Sequence, residues 1–91
     1  MDQTTKLIRR NDLLTADMNG SAVTMDMQSG KYYNMGETGG NIWNKLETEK
    51  TISQLADELV AEYGITKDQC LTDIMPFLNK LVEKGLLLIC Q

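Results

Sequence analysis

The sequence contains no histidine. That removes the commonest general base and the usual middle member of a hydrolytic triad. Its only cysteines are Cys70 and Cys90. Without histidine or a neighbouring thiol they do not form a zinc site. No apolar run approaches the roughly 18–20 residues of a membrane span. Lys6, Arg9 and Arg10 near the start are not followed by the apolar stretch of a secretion signal. The chain is therefore expected in the cytoplasm, without a membrane partner. Nine basic residues against 13 acidic ones leave a net charge of −4, which disfavours a nucleic-acid partner. Gly36-Glu37-Thr38-Gly39-Gly40 lacks the lysine and the spacing of a phosphate loop. Asp57 and Glu58 are adjacent, so a helix sets them about 100° apart and they share no proton. No serine, cysteine or lysine has an evident base beside it. The expectation is no catalytic residue, no metal and no cofactor.

What is present reads as one small domain over residues 1–91, with residues 1–6 fraying at the chain start. Strand patterns fill the first half and helical patterns the second, the order of an α+β domain. Asn19-Gly20, between Asp12–Met18 and Ser21–Gln28, is the strongest short hairpin signal. Ser29-Gly30 marks a second tight turn, before a third strand Lys31–Met35 that Gly36 ends. In the middle strand Val23, Met25 and Met27 share one face, and Thr24, Asp26 and Gln28 the other; such alternation buries one face and wets the other.

Three helices follow. The first, about Glu37 to Glu47, carries Ile42, Trp43 and Leu46 as its apolar stripe, with Gly39 and Gly40 weakening its first turn. The second starts at a capping box, Thr51 and Gln54, carries Ile52, Leu55, Ala56, Leu59, Val60 and Tyr63 on one face, and stops at Gly64. The third starts at another capping-box pair, Thr66 and Gln69, and runs to Gly85 with Leu71, Ile74, Leu78, Leu81 and Val82 as its stripe. Cys70 reads there as a small core residue, and Pro76 predicts a kink or, as the second choice, a break near Met75. Leu86–Ile89 reads as a short strand or extended cap. A three-stranded antiparallel sheet followed by three helices, the last two joined by a tight turn, is a winged-helix-like inventory.

The last helix offers Lys67, Lys80 and Lys84 against Asp68, Asp73 and Glu83, and no arginine. That makes a poor phosphate tracker, so a DNA-binding regulator is the weaker reading. A peptide suits the chain better. The third strand is an edge, to which an extended peptide can add through main-chain bonds. Met25, Met27, Met35 and Met75 are available as adaptable pocket walls toward the third helix.

Gly30-Lys31-Tyr32-Tyr33-Asn34-Met35-Gly36-Glu37-Thr38-Gly39, running on to Ile42-Trp43, resembles the PqqD-like family of small peptide chaperones, the recognition elements of ribosomal peptide biosynthesis. The family pattern is Gly-x-Tyr-Tyr-x-Leu, then Asn-Glu-Thr-Gly, then a helix with Ile-Trp. Here Met35 replaces the leucine and Gly36 the asparagine, which removes a helix cap. Thr51-Ile52-x-x-Leu55-Ala56 and Asp73-Ile74-x-x-Phe77-Leu78-x-x-Leu81-x-x-x-Gly85-Leu86-Leu87 also match, so the resemblance covers residues 12–88. Within the family the likeness is to the free-standing chaperones of lasso-peptide biosynthesis.

The resemblance implies a winged helix without DNA binding and without catalysis. A precursor's leader peptide would add to the third strand beside the third helix, and a separate transglutaminase-like leader peptidase would then cut it. The alternative client is a radical peptide-modifying enzyme. The resemblance points to Lys31, Tyr32, Tyr33, Asn34 and Met35 as the strand edge; on the third helix Asp68, Cys70, Asp73, Ile74 and Phe77 are chosen because they lie on its N-terminal half near one face. Asp73 would be the polar contact, with Met35 and Phe77 as walls. Which of Tyr32 and Tyr33 faces the groove depends on register. The chain is expected as a monomer or weak dimer.

Overall fold

The computed structural model describes residues 1–90. The order of elements is β1 (Lys6–Arg9), β2 (Leu13–Met18), β3 (Ser21–Asp26), β4 (Tyr32–Met35), α1 (Gly36–Lys45), β5 (Lys50–Thr51), α2 (Ile52–Tyr63), α3 (Lys67–Glu83) and β6 (Leu87–Cys90). The antiparallel sheet β2-β3-β4 followed by three helices is the expected α+β, winged-helix-like arrangement. Asn19 and Gly20 take φ of 57° and 87°, the sign that both central residues of a type I′ hairpin require.

A second three-stranded sheet, in the order β5-β1-β6, adds to that inventory. Leu7 pairs with Ile89 and Lys50 in it, so the segment Leu87–Cys90 is a strand. At the chain start, which the sequence reading leaves frayed, the carbonyls of Gln3 and Thr5 accept bonds from the N–H groups of Ser53 and Ile52 at 2.8 and 2.9 Å.

The capping box at Thr51 and Gln54 closes in both directions, and Gly64 takes the left-handed conformation at the end of α2. At α3 only half the expected box forms. Thr66 accepts from the Gln69 N–H, but the Gln69 side chain donates forward to Asp73 at 2.8 Å. Pro76 lies inside one continuous helix. The proline takes the donor from the Thr72 carbonyl, and Thr72 is exposed, so water can replace it. Gly36, expected to end the third strand, has φ of 72° and opens α1.

The core gathers Leu7 from β1, Ile42, Trp43 and Leu46 from the α1 region, Leu55 and Leu59 from α2, Cys70, Ile74, Leu78 and Leu81 from α3, and Leu86 and Leu87. Gly40 lets α1 lie directly on β3, because a Cβ there would stand 2.7 Å from that of Ala22. Alanine is the better helix former by about 1 kcal/mol. Gly40→Ala should nevertheless destabilise the fold by about 1–3 kcal/mol, since the contact is with a short, rigid neighbour. Urea unfolding of the variant measures the sign; a stabilised Gly40→Ala would mean that α1 and β3 sit further apart.

The sheet turns inward the opposite face from the one hydropathy suggests. Ala22, Thr24 and Asp26 are buried, whereas Val23 and Met25 are half-buried and Met27 is exposed. Polar partners make this tolerable. Thr24 and Thr15 bond through their hydroxyls at 3.2 Å, and Thr15 Oγ1 accepts from Trp43 Nε1 at 2.9 Å. Arg10 pairs with Asp26 through Nη2 at 2.7 Å, with Asp12 through Nε at 2.5 Å, and donates to the Gly85 carbonyl from Nη1 at 3.2 Å.

The Arg10 guanidinium, helped by the Gln28 N–H, holds the Asp26 carboxyl down to about 2. An unfolded aspartate titrates near 3.9. The stabilisation from ionised Asp26 is therefore complete above about pH 4 and is lost as pH falls through about 2. Thermal melts from pH 5 to pH 2 should show this acid limb. Asp26→Asn should melt lower at neutral pH and show a flatter limb; an unchanged limb would assign the acid sensitivity to other carboxylates.

Candidate functional site

β4 is the open edge of its sheet among the described residues. Its register on β3 pairs Met25 with Tyr32, Thr24 with Tyr33 and Val23 with Asn34. The Asp26 N–H donates to the Lys31 carbonyl at 2.9 Å. Bonded pairs alternate along an antiparallel ladder. Thr24 and Tyr33 are thus the next bonded pair, and the N–H and C=O groups of Tyr32 and Asn34 point away from β3. A complete set of main-chain donors and acceptors is left free along the edge.

The same register decides the tyrosines. Tyr33 shares the inward face with Thr24 and Met35, whereas Tyr32 stands on the outer face and is 70% exposed. Beside β4 runs a groove of about 430 Å³, lined by Tyr32, Tyr33, Asn34 and Met35 from the strand, by Phe77, Lys80 and Leu81 from α3, and by Lys84 at the C-cap of α3. Phe77 lies at the Met35 end, where its ring and the Met35 Cβ both approach the Cβ position of Gly39, at 3.0 and 3.6 Å. Lys84 Nζ lies 5.6 Å from the centre of the Tyr33 ring, a cation–π distance. The helix therefore runs antiparallel to the strand. Each wall is about 10 Å long, from three steps of strand or seven of helix.

Of the residues singled out from the sequence, Tyr32, Tyr33, Asn34, Met35 and Phe77 come together here. Lys31 is exposed one residue before β4. Cys70, Asp73 and Ile74 lie elsewhere, in an apolar cavity of about 230 Å³ that they share with Thr38, Ile42, Leu59, Tyr63 and Ile65. Burial pushes the Cys70 thiol up, and its Sγ reaches the Ala56 carbonyl at 3.8 Å, the behaviour of a core thiol. Asp68 lines neither space, and is an exposed residue in the first turn of α3. Of the four methionines expected as walls, Met35 lines the groove, Met25 and Met27 belong to the outer side of the sheet region, and Met75 is partly buried against the core.

The structure adds Lys80, Leu81 and Lys84, which the sequence reading did not place in the groove. With Phe77 they stand at i, i+3, i+4 and i+7, the spacing of one helical face.

The outer face of the sheet is apolar and open. Leu14 opposes Met25, which opposes Tyr32, and Ala16 opposes Val23. Leu14, Met18 and Tyr32 on it are each more than half exposed. Among the described residues, no helix is long and apolar enough to cross a membrane.

The family model described as Coenzyme PQQ synthesis protein D (PqqD) matches residues 21–87. The chain is similar to the solved structure of TbiB1 in complex with the TbiA(beta) leader peptide, at 28% identity and a TM-score of 0.78, over 88% of this chain and 93% of that one. It shares its fold with a lasso peptide synthetase B1 complexed with the leader peptide, at 24% identity and a TM-score of 0.76, over 90% of this chain and 96% of that one. No curated protein sequence matches.

Proposed function

The chain belongs to the PqqD family, and from that premise we propose that it binds the leader segment of a ribosomally made precursor peptide as an added strand on β4 and delivers it to a separate leader peptidase in lasso-peptide biosynthesis. The observation that carries this is the open β4 edge with a groove of matching length beside it, in a chain 28% identical to a protein solved with a leader peptide. Main-chain bonds to Tyr32 and Asn34 supply affinity, and alternate leader side chains enter between Tyr33, Met35, Phe77 and Leu81. Lys31 to Met35 and Phe77 carry this role; Cys70 and Ile74 act behind the groove, in packing α3 on α1 and α2, and Asp73 is an exposed residue that accepts from Gln69. The protein contributes binding, and the bond cleavage belongs to its partner. The exposed apolar face with Leu14, Met18 and Tyr32 is the surface for that partner, since apolar patches of this kind mark contact sites and this one adjoins the peptide edge.

The test is fluorescence polarisation with a labelled synthetic leader, taken from a short open reading frame beside this gene, followed by a cleavage assay with a candidate leader peptidase. Saturable binding, and faster cleavage when this protein is present, are expected. A folded sample that binds no leader, with or without the peptidase, would end the leader-binding reading. Binding without any effect on cleavage would leave the leader-binding reading and remove the delivery step.

A further inference from the structure

The lysines around the groove differ in their pairing from the lysines elsewhere on the chain. Lys6, Lys45, Lys50 and Lys67 each pair with a carboxylate, Glu49, Glu62, Glu58 and Asp57 respectively. Lys31, Lys80 and Lys84 have no carboxylate partner among the described residues, and all three stand around one groove. Lys80 lines it from α3 and Lys84 from the C-cap of α3, and Lys31 directly precedes its strand wall. No aspartate or glutamate lines the groove, although the chain as a whole carries a net charge of −4. Among the described residues, each lysine away from the groove has a carboxylate partner, and the three without one stand around it.

We propose that the groove selects an acidic peptide, one whose side chains on the α3-facing side of the added strand include carboxylates at the Tyr33 end. The inference rests on the leader-binding reading and names what distinguishes one leader from another. The spacing fits. Lys80 and Lys84 are one helical turn apart, about 6 Å along the axis, and side chains on one face of a strand recur about every 7 Å. Two acidic residues at positions i and i+2 of the leader can therefore each meet one lysine. Phe77 and Leu81 take the apolar side chains nearer the Met35 end. Because the lysines are exposed, each pair is screened by salt and modest in strength, and their combined effect is selectivity more than affinity.

The experiment compares two fluorescein-labelled peptides in polarisation titrations. One is the synthetic leader of the neighbouring precursor; the other has its Asp and Glu residues replaced by Asn and Gln. Both are titrated with the wild-type chain and with the triple variant Lys31→Gln, Lys80→Gln, Lys84→Gln. The wild type should bind the amide form about fivefold to tenfold more weakly. The triple variant should bind the two forms alike, and raising NaCl should weaken only the wild type's binding of the acidic form. Circular dichroism melts confirm that the triple variant is folded. Equal binding of both forms by the wild type overturns the acidic selectivity while leaving leader binding in place. Binding of neither form by the wild type overturns the leader-binding reading itself, and the selectivity with it.

Discussion

Leader binding is expected to weaken at least tenfold when Tyr32 is replaced by proline, while the melting temperature stays near that of the wild type. The Tyr32 N–H points off the sheet, so proline removes a donor that the incoming strand would use and that β3 does not. The pyrrolidine ring also stands where the partner strand must approach. Proline is tolerated on the open side of an edge strand, and the tyrosine side chain it replaces is 70% exposed. The lost hydrogen bond is worth about 0.5–1.5 kcal/mol, and the blocked approach adds to it. Tyr32→Ala is the control, since it removes the ring and keeps the donor. Polarisation titrations with the labelled leader read the affinity, and circular dichroism reads the fold. A Tyr32→Pro variant that binds as the wild type does would rule out strand addition at β4, even with peptide binding intact.

The largest effect on stability is expected at Trp43. Its ring is fully buried, its Nε1 donates to Thr15 Oγ1 at 2.9 Å, and Arg9 lies over it at 5.4 Å. Trp43→Ala should cost about 3–5 kcal/mol, from lost transfer energy and the cavity left behind. A domain of this size holds roughly 5–14 kcal/mol in total. The melting temperature should fall by about 15–30 °C. Trp43→Phe keeps most of the ring volume and loses the bond to Thr15, so it should fall much less. Calorimetry on both variants separates packing from the hydrogen bond. A small loss in Trp43→Ala would mean that the α1 contact with the hairpin sheet is looser than the structure shows.

Trp43 was legible as a core anchor from the stripe it shares with Ile42 and Leu46. The hairpin at Asn19-Gly20 and the capping box at Thr51 were equally legible, because each is a local device with a local residue signature. β1 and β5 were not, and β6 was legible only as a short strand or extended cap without a partner. They are two to four residues long, and β1 meets β6 across nearly the whole chain, with no turn to announce it. The inward face of β3 was hidden for a different reason. Thr24 and Asp26 turn in only because Thr15 and Arg10, distant in sequence, satisfy them. On α3 the apolar stripe was correct, but a stripe does not say which neighbour lies along which half. Cys70 and Ile74 face the cavity shared with α1 and α2. Three residues after Ile74, at Phe77, the wall belongs to β4. Lys80 and Lys84 looked like ordinary surface charge until the strand was placed beside them.

The alternation along β4, with Tyr33 turned in and Tyr32 turned out, would be continued by any strand added to its edge. Half of the bound leader's side chains would then extend the outer apolar face that the peptidase is proposed to use. The loaded protein would present a wider surface than the empty one, and the peptidase would tell the two apart by contact alone. Thermodynamic linkage makes this reciprocal: whatever factor the leader adds to peptidase affinity, the peptidase adds to leader affinity. An empty carrier would then compete poorly for the enzyme, and a cleaved leader, once the enzyme has left, would be held less tightly than it was before the cut.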